Sequence, residues 1–242
     1  MQDIVILPIF NQAAPGVWDD FAHIRVSSVE SIYNSIYDAD DIDGMIYADK
    51  KKWGKRFVNF AFGAYIGSEM VGFIQGDAHG RCANIQSLYV LKEYQKLGVG
   101  HRLLSRAERA ASIFAKRIEL VALSKAEHFY IKNGYSSQYG TNRYEKLDIQ
   151  APRCECLPIF RCNSRLEKKC KMIEPSFDAG FVNVSHLPMF VYYNVDSELC
   201  GYAIGGTKGD PFRMVFNNRT ILAQIFQKNI SRYEEMWRAM GR

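Results

Sequence analysis

The chain reads as an α+β protein: a mixed, mostly antiparallel sheet flanked by helices, with a smaller C-terminal β-rich domain that ends in a helix. Three observations carry this. Phe57 to Ile66 and Met70 to Gly76 are apolar β runs on either side of Gly67-Ser-Glu69, a hairpin signal. A further β run, Ala83 to Leu91, passes through a charged turn with glycines at Gly98 and Gly100. It leads into a stretch where Leu103, Leu104, Ala107, Ala110, Ala111 and Phe114 recur at spacings of three and four, the apolar stripe of an amphipathic helix. Beyond Ala151-Pro152, a linker in composition, β-type segments return and the last run again has helical periodicity.

The elements follow in order. Ile4 to Phe10 is a compact β run containing Pro8 and closed by a polar break, the first strand. Trp18 to Tyr37 has helical periodicity through Phe21, Ile24, Val29, Ile32, Tyr33 and Ile36, with Ser27-Ser28 expected to break it into two helices. Asp38 to Asp43 is an acidic turn, read as solvated. The hairpin follows, then a turn expected at Asp77-Ala-His-Gly-Arg81. Past the glycine turn and its helix, Arg117 to Ala122 is a short buried strand, and Phe129 and Tyr130 lie on another helix. Tyr135 to Asp148 holds two short β segments split near Gly140. In the tail, Leu157-Pro-Ile-Phe160 repeats Leu7-Pro-Ile-Phe10, and Tyr193 to Tyr202 resembles Tyr65 to Phe73 with one insertion. The two echoes keep their order, so the tail is expected to be a degenerate half-copy of the first domain, packed on it or making a homodimer. Asn217 to Met240 closes the chain as a capping helix. The domains are therefore 1–150 and 151–242.

At 242 residues and 48% hydrophobic content, the chain can bury one large core or two modest ones. No apolar run is long enough to span a membrane, and Met1-Gln-Asp-Ile has neither the basic region nor the cleavage site of a signal peptide. A cytoplasmic protein is expected. Residues 1–150 carry 18 Lys/Arg against 17 Asp/Glu, so that part is nearly neutral and argues against nucleic acid. The densest basic cluster, Lys50-Lys51-Lys52 with Lys55 and Arg56, reads as a solvated face. Four of six cysteines fall between Cys154 and Cys170, but Cys154-x-Cys156 followed by Cys162 and Cys170 is not the paired spacing of a zinc ribbon. Reduced cysteines on a strand and a short helix are expected, with no metal.

Candidate chemistry sits at the glycine turn. A strand that hands over to a helix through glycines leaves unpaired N–H groups and the positive end of the helix dipole facing outward, a site suited to phosphate. Two readings compete. A dinucleotide fingerprint needs a third glycine where Leu103 stands, although Glu119 is near the expected acidic position. Gln95-x-x-Gly98-x-Gly100 instead resembles the coenzyme A pyrophosphate loop of the GNAT N-acetyltransferase superfamily, with Leu88-x-Val90 before it. About thirty residues on, Phe129-Tyr130-Ile-Lys132-Asn-Gly134-Tyr135 is similar to that family's second signature, Phe-Tyr-x-Lys-x-Gly-aromatic. The resemblance covers residues 1 to about 148.

It implies direct transfer of acetyl from acetyl-CoA to a primary amine of a small molecule or peptide. Backbone amides of Gln95, Lys96, Leu97, Gly98, Val99, Gly100 and His101 would hold the pyrophosphate, and Leu88, Tyr89 and Val90 would meet the pantetheine arm. One N–H near Leu88 would point at the acetyl carbonyl. Tyr130 would protonate the coenzyme A sulfur. Phe129 reads as core, Lys132 as surface. The resemblance also implies a glutamate on the strand before the turn, where this chain has Asn84-Ile-Gln86-Ser87; His79, Glu30, Asp77 or a water chain are the candidate bases. Leu123 stands where the family has an asparagine, with Ser124 beside it, and Lys96 replaces a frequent glycine, a change expected to be tolerated. The competing function is a non-catalytic acyl-CoA-binding module with a partner-binding tail.

Overall fold

The computed structural model describes residues 4–9, 15–33, 59–150, 152–153, 155–159, 161–180, 182, 189–194, 196–204 and 213–216. Two sheets form. The first has seven strands, ordered β1-β2-β3-β4-β5-β7-β6. They are β1 (Ile4–Pro8), β2 (Phe60–Ile66), β3 (Glu69–His79), β4 (Cys82–Val90), β5 (Arg117–Val121), β6 (Ser136–Ser137) and β7 (Arg143–Lys146). Every neighbouring pair is antiparallel except β4 and β5, which run parallel because a helix connects them.

Two helices cover opposite faces. Successive side chains of a strand alternate, and Gly72 and Phe73 of β3 show both sides at once. Phe73 stacks on Phe21 of α1 (Pro15–Tyr33), ring centroids 3.9 Å apart. A Cβ on Gly72 would lie 3.3 Å from Leu103 of α2 (Val99–Phe114) and 2.9 Å from the Tyr89 carbonyl oxygen, so glycine lets α2 settle close. The apolar stripe of α2 is buried throughout: Leu103, Leu104, Ala107, Ala110, Ala111 and Phe114. Its larger side chains contribute about 1.5–3 kcal/mol each by burial.

Several sequence expectations shift at element boundaries. α1 runs without a break through Ser27-Ser28. A serine interrupts a helix by bonding its own backbone, whereas the Ser28 hydroxyl donates to the Val90 carbonyl of β4 at 3.1 Å. The turn expected from Asp77 to Arg81 shrinks to Gly80-Arg81, with Gly80 at φ +62°, and Asp77 to His79 stay in β3. The first hairpin turns tightly at Gly67-Ser68, Gly67 at φ +61°. Phe10, Asp38 to Asp43, the Lys50–Arg56 cluster, Cys154 and the expected helix at 217–240 lie outside the described residues.

The second sheet has four antiparallel strands ordered β11-β10-β9-β8: β8 (Glu155–Ile159), β9 (Met189–Tyr193), β10 (Leu199–Ile204) and β11 (Arg213–Phe216). α4 (Ser164–Ile173) follows β8; Asn163 caps it by accepting from the Leu166 amide at 3.0 Å. Strand order and pairing match those of β1, β2 and β3. Pro8 faces Phe62 and Pro158 faces Phe190. Tyr65 pairs with Met70 and Ala64 with Gly72, bulging out Val71; Tyr193 pairs with Leu199 and Tyr192 with Gly201, bulging out Cys200. The sequence echoes therefore coincide in register as well as in letters. Asn59 joins the two parts: its Oδ1 accepts from Ala78 N–H at 2.8 Å, and its Nδ2 donates to the Arg161 carbonyl at 3.2 Å.

Candidate functional site

The site begins where β4 and β5 part. Their parallel pairing runs from Cys82 with Arg117 to Ile85 with Leu120 and stops there, although β4 continues to Val90. On its other edge β4 stays paired with β3, through a bulge at Gln86. The register settles which main-chain groups face the open edge. Leu91 N–H donates to the Val71 carbonyl, so Tyr89, two residues earlier, also bonds toward β3. Leu88 and Val90 then turn their N–H and C=O groups the other way, into the gap. The Val90 carbonyl confirms the direction, accepting from Ser28 Oγ and from Gln95 Nε2, each at 3.1 Å.

Past Val90 a 3-10 turn (Lys92–Tyr94) leads to the loop. The Gln95 amide is used, donating to the Lys92 carbonyl at 3.2 Å. From Lys96 to His101 no backbone N–H has an acceptor among the described residues, and the first bond of α2 is Arg102 N–H to the Gly98 carbonyl. Two residues in this loop are left-handed: Lys96 at φ +63° and Gly98 at φ +83°. That conformation explains why glycine suits the Lys96 position, and lysine carries a modest strain there. Gly100 packs on Phe129: a Cβ there would lie 3.4 Å from the ring. Val99 is buried, whereas Gln95, Lys96, Leu97, Gly98 and His101 are exposed. Six consecutive free amides at a helix N-terminus form a concave donor surface for an anion.

Tyr130 stands on α3 (Glu127–Lys132), which follows β5 through a second 3-10 turn (Ser124–Ala126). The end of α3 explains its sequence. Gly134 sits at φ +85°; its N–H donates to the Ile131 carbonyl and that of Tyr135 to the Tyr130 carbonyl, the paired bonds of a Schellman stop. This folds Tyr135 back onto Tyr130, with ring centroids 5.7 Å apart, while Phe129 and Tyr144 pack around the same ring at 5.1 and 6.4 Å. Tyr130 is 7% exposed. Burial, and secondarily the Tyr89 phenol, push its pKa well above the ordinary tyrosine value, so the hydroxyl stays protonated. Phe129 packs against the core and Lys132 is exposed.

The expected base candidates fall away from this edge. His79 pairs with Cys82, six residues before Leu88, which at about 3.3 Å per residue places it roughly 20 Å along the strand. Asp77 pairs with Asn84 and is about 13 Å away on the same measure. Asp77 instead belongs to a polar network that sequence reasoning missed. The bulge puts Gln86 and Ser87 on one face of the sheet. There Gln86 Nε2 donates to Asp77 Oδ2 at 2.7 Å, and Gln75 Nε2 reaches Ser87 Oγ at 3.5 Å. His79 Nε2 meets the same Asp77 oxygen at 3.1 Å, and the buried Asp77 Oδ1 and Gln86 Oε1 have no partner among the described residues. The side chain of Glu30 lies outside the described residues. Leu123 is partly exposed and caps the 3-10 turn with no side-chain bond. Among the described residues, no cluster of His, Cys, Asp or Glu could hold a metal. Cys82, Cys162, Cys170 and Cys200 are not joined in disulfides among the described residues.

Comparison with known proteins bears on this region. Residues 58–137, from β2 to the aromatic residues after α3, match the model of the acetyltransferase (GNAT) domain. The segment is a GNAT domain. The fold agrees: PaiA N-acetyltransferase of Thermoplasma acidophilum, solved in complex with coenzyme A, is similar at a TM-score of 0.51 and 21% identity, over 60% of this chain and 99% of that one. A protein of Pyrococcus horikoshii OT3 is similar at a TM-score of 0.50 and 20% identity, over 62% of this chain and all of its own, 100%. No curated protein matches the chain. The splayed β4/β5 edge, the free-amide turn and Tyr130 all lie inside the GNAT segment. Among the described residues, no helix is long and apolar enough to cross a membrane.

Proposed function

We propose that residues 1–150 transfer an acetyl group from acetyl-CoA to a primary amine of a small molecule or peptide. Acetyl-CoA is the donor GNAT acetyltransferases use, which fits the matched segment. The single observation that carries the reading is the run of unpaired amides from Lys96 to His101, set beside a strand edge whose Leu88 and Val90 main chains face an open gap. The free amides suit a diphosphate, and the strand edge suits a peptide-like arm. Leu88 N–H is the donor for the carbonyl oxygen as negative charge develops there.

The amine nitrogen bonds to the thioester carbon, the carbon–sulfur bond breaks, and Tyr130 gives its phenol proton to the departing thiolate. The phenol is neutral at pH 7, as a proton donor to the thiolate must be, and burial raises its pKa further above the ordinary tyrosine value. The proton lost by the amine leaves through water, since Asp77 and His79 pair about 13 and 20 Å along the strand from Leu88. Gln95 has a double use: its amide proton is spent on Lys92, and its side chain rests on the carbonyl that the pantetheine arm would need.

The absence of a carboxylate on the open half of β4 favours one alternative, a regulatory module that binds acyl-CoA without turnover. Two measurements separate them. Acetyl-CoA should raise the melting temperature in either case, whereas free thiol released in the presence of an amine panel appears only for the enzyme. A melting temperature unmoved by saturating acetyl-CoA overturns both.

The matched strand order, the Pro–Phe pairings and the equivalent bulges support reading residues 151–242 as a degenerate half-GNAT module. It has no counterpart of the glycine turn or of Tyr130, so it adds no second catalytic centre. Its role is to buttress the first domain or to build a homodimer in a cytoplasmic protein. Light scattering of the intact chain and of a chain ending at residue 150 tests the dimer.

A further inference from the structure

Several contacts between α2 and α3 have no part in the roles given so far. His101 Nδ1 lies 2.6 Å from Asn133 Oδ1. Asn133 Nδ2 donates to the Phe129 carbonyl at 2.7 Å, so Oδ1 is the acceptor on the other side and His101 carries its proton on Nδ1. The Asn133 carbonyl accepts from Lys146 Nζ at 3.0 Å, and the same ammonium holds Glu108 of α2 at 2.9 Å. Gly100 backs directly onto the Phe129 ring. The turn with the free amides is thus latched to the helix that carries Tyr130.

The Asn133 side chain is not needed to end α3. The Schellman bonds that close it, from Gly134 to Ile131 and from Tyr135 to Tyr130, use main-chain groups alone. Its amide is therefore available for the bridge, and it spans 32 residues of sequence to make it.

We propose that Asn133 is a positioning residue that couples the grip on the diphosphate at Lys96–His101 to the placement of Tyr130. The inference rests on the acyl-CoA reading. An anion drawn onto the amides of Val99 to His101 pulls on the first turn of α2, and the His101–Asn133 bond passes that displacement to α3. Donor binding and presentation of the phenol then become one event.

The test uses the intact, isotopically labelled chain and ADP, which offers a diphosphate but no pantetheine arm to touch α3. In the wild type, backbone amide resonances of 96–101 and of 127–133 should shift together with one Kd. In Asn133→Ala the loop shifts should persist with Kd within about twofold, and the shifts in α3 should fall at least threefold. His101→Ala keeps the backbone amide and breaks the same bond from an exposed position, so it should give the same result even if Asn133→Ala folds poorly. Undiminished α3 shifts in both variants overturn the coupling and leave the donor reading standing. Absence of any ADP-induced shift at 96–101 overturns the diphosphate grip itself, and the coupling with it. Once an acceptor is in hand, Asn133→Ala should lower kcat about tenfold with KM for acetyl-CoA unchanged, a split that general destabilisation does not produce.

Discussion

Tyr130 is held among three aromatic rings with its pKa driven upward by burial, and both facts shape what substitution should do. Tyr130→Phe keeps the packing and removes the proton, so kcat should fall about 10²–10⁴-fold. Acetyl-CoA affinity, measured by titration calorimetry, should stay within about twofold. Because the phenol titrates above its ordinary value of 10, it should impose no alkaline fall in kcat below that pH. His79→Ala and Asp77→Asn should leave kcat within about threefold, since both lie far along the sheet from Leu88. A large loss in either, in a steady-state assay with acetyl-CoA and an acceptor, would return a side-chain base to the mechanism. Lys96→Gly should relieve a left-handed strain of about 1 kcal/mol, offset in part by the entropy of the freer unfolded chain.

At the scale of elements, the site depends on how two helices begin and end. α2 starts from Gly98 at φ +83°, with open space where a Cβ would go, so Gly98→Ala meets backbone strain and no clash. Gly134→Ala imposes the same strain at the stop of α3, where it also works against the fold of Tyr135 onto Tyr130. Each should cost about 1–2 kcal/mol in denaturant unfolding. Gly134→Ala should lower kcat as well, because it moves the helix that holds the phenol. Gly100→Ala acts differently: its Cβ would meet Phe129 at 3.4 Å, an ordinary contact with no left-handed strain, so it should cost less than either in denaturant unfolding.

For the molecule as a whole, buried phenols set an alkaline limit. Tyr130, Tyr135 and Tyr193 all have pKa values raised, chiefly by burial. In the unfolded chain they ionise near 10, the ordinary tyrosine value, whereas in the folded chain they do not. The stability linked to them is therefore complete below that pH and is lost progressively as pH rises from it toward the raised folded values. Unfolding followed by tyrosinate absorbance and circular dichroism should show a cooperative transition above pH 10, with most of the tyrosinate signal of these residues appearing only as the fold is lost.

Periodicity and turn chemistry alone placed the first hairpin, the stripe of α2 and the order of strands, because each follows from residues close together in the chain. The glycine turn and the Phe129-Tyr130 signature were legible for the same reason: Gly98 and Gly134 stand where left-handed backbone is needed. The repeat of Leu-Pro-Ile and the Tyr-to-Tyr/Phe echo pointed to a second unit with the pairing of the first. Tertiary structure decided the rest. Only the register shows that β4 leaves β5 after Ile85, that Leu88 and Val90 face the gap, and that His79 and Asp77 pair with Cys82 and Asn84, well before Leu88. Ser27-Ser28 looks locally like a helix break, and only the distant Val90 carbonyl, which accepts from the Ser28 hydroxyl, accounts for its place inside α1. The bond between His101 and Asn133 has no local signature at all. Such choices are made by groups far apart in sequence, and folding alone brings them within hydrogen-bond reach.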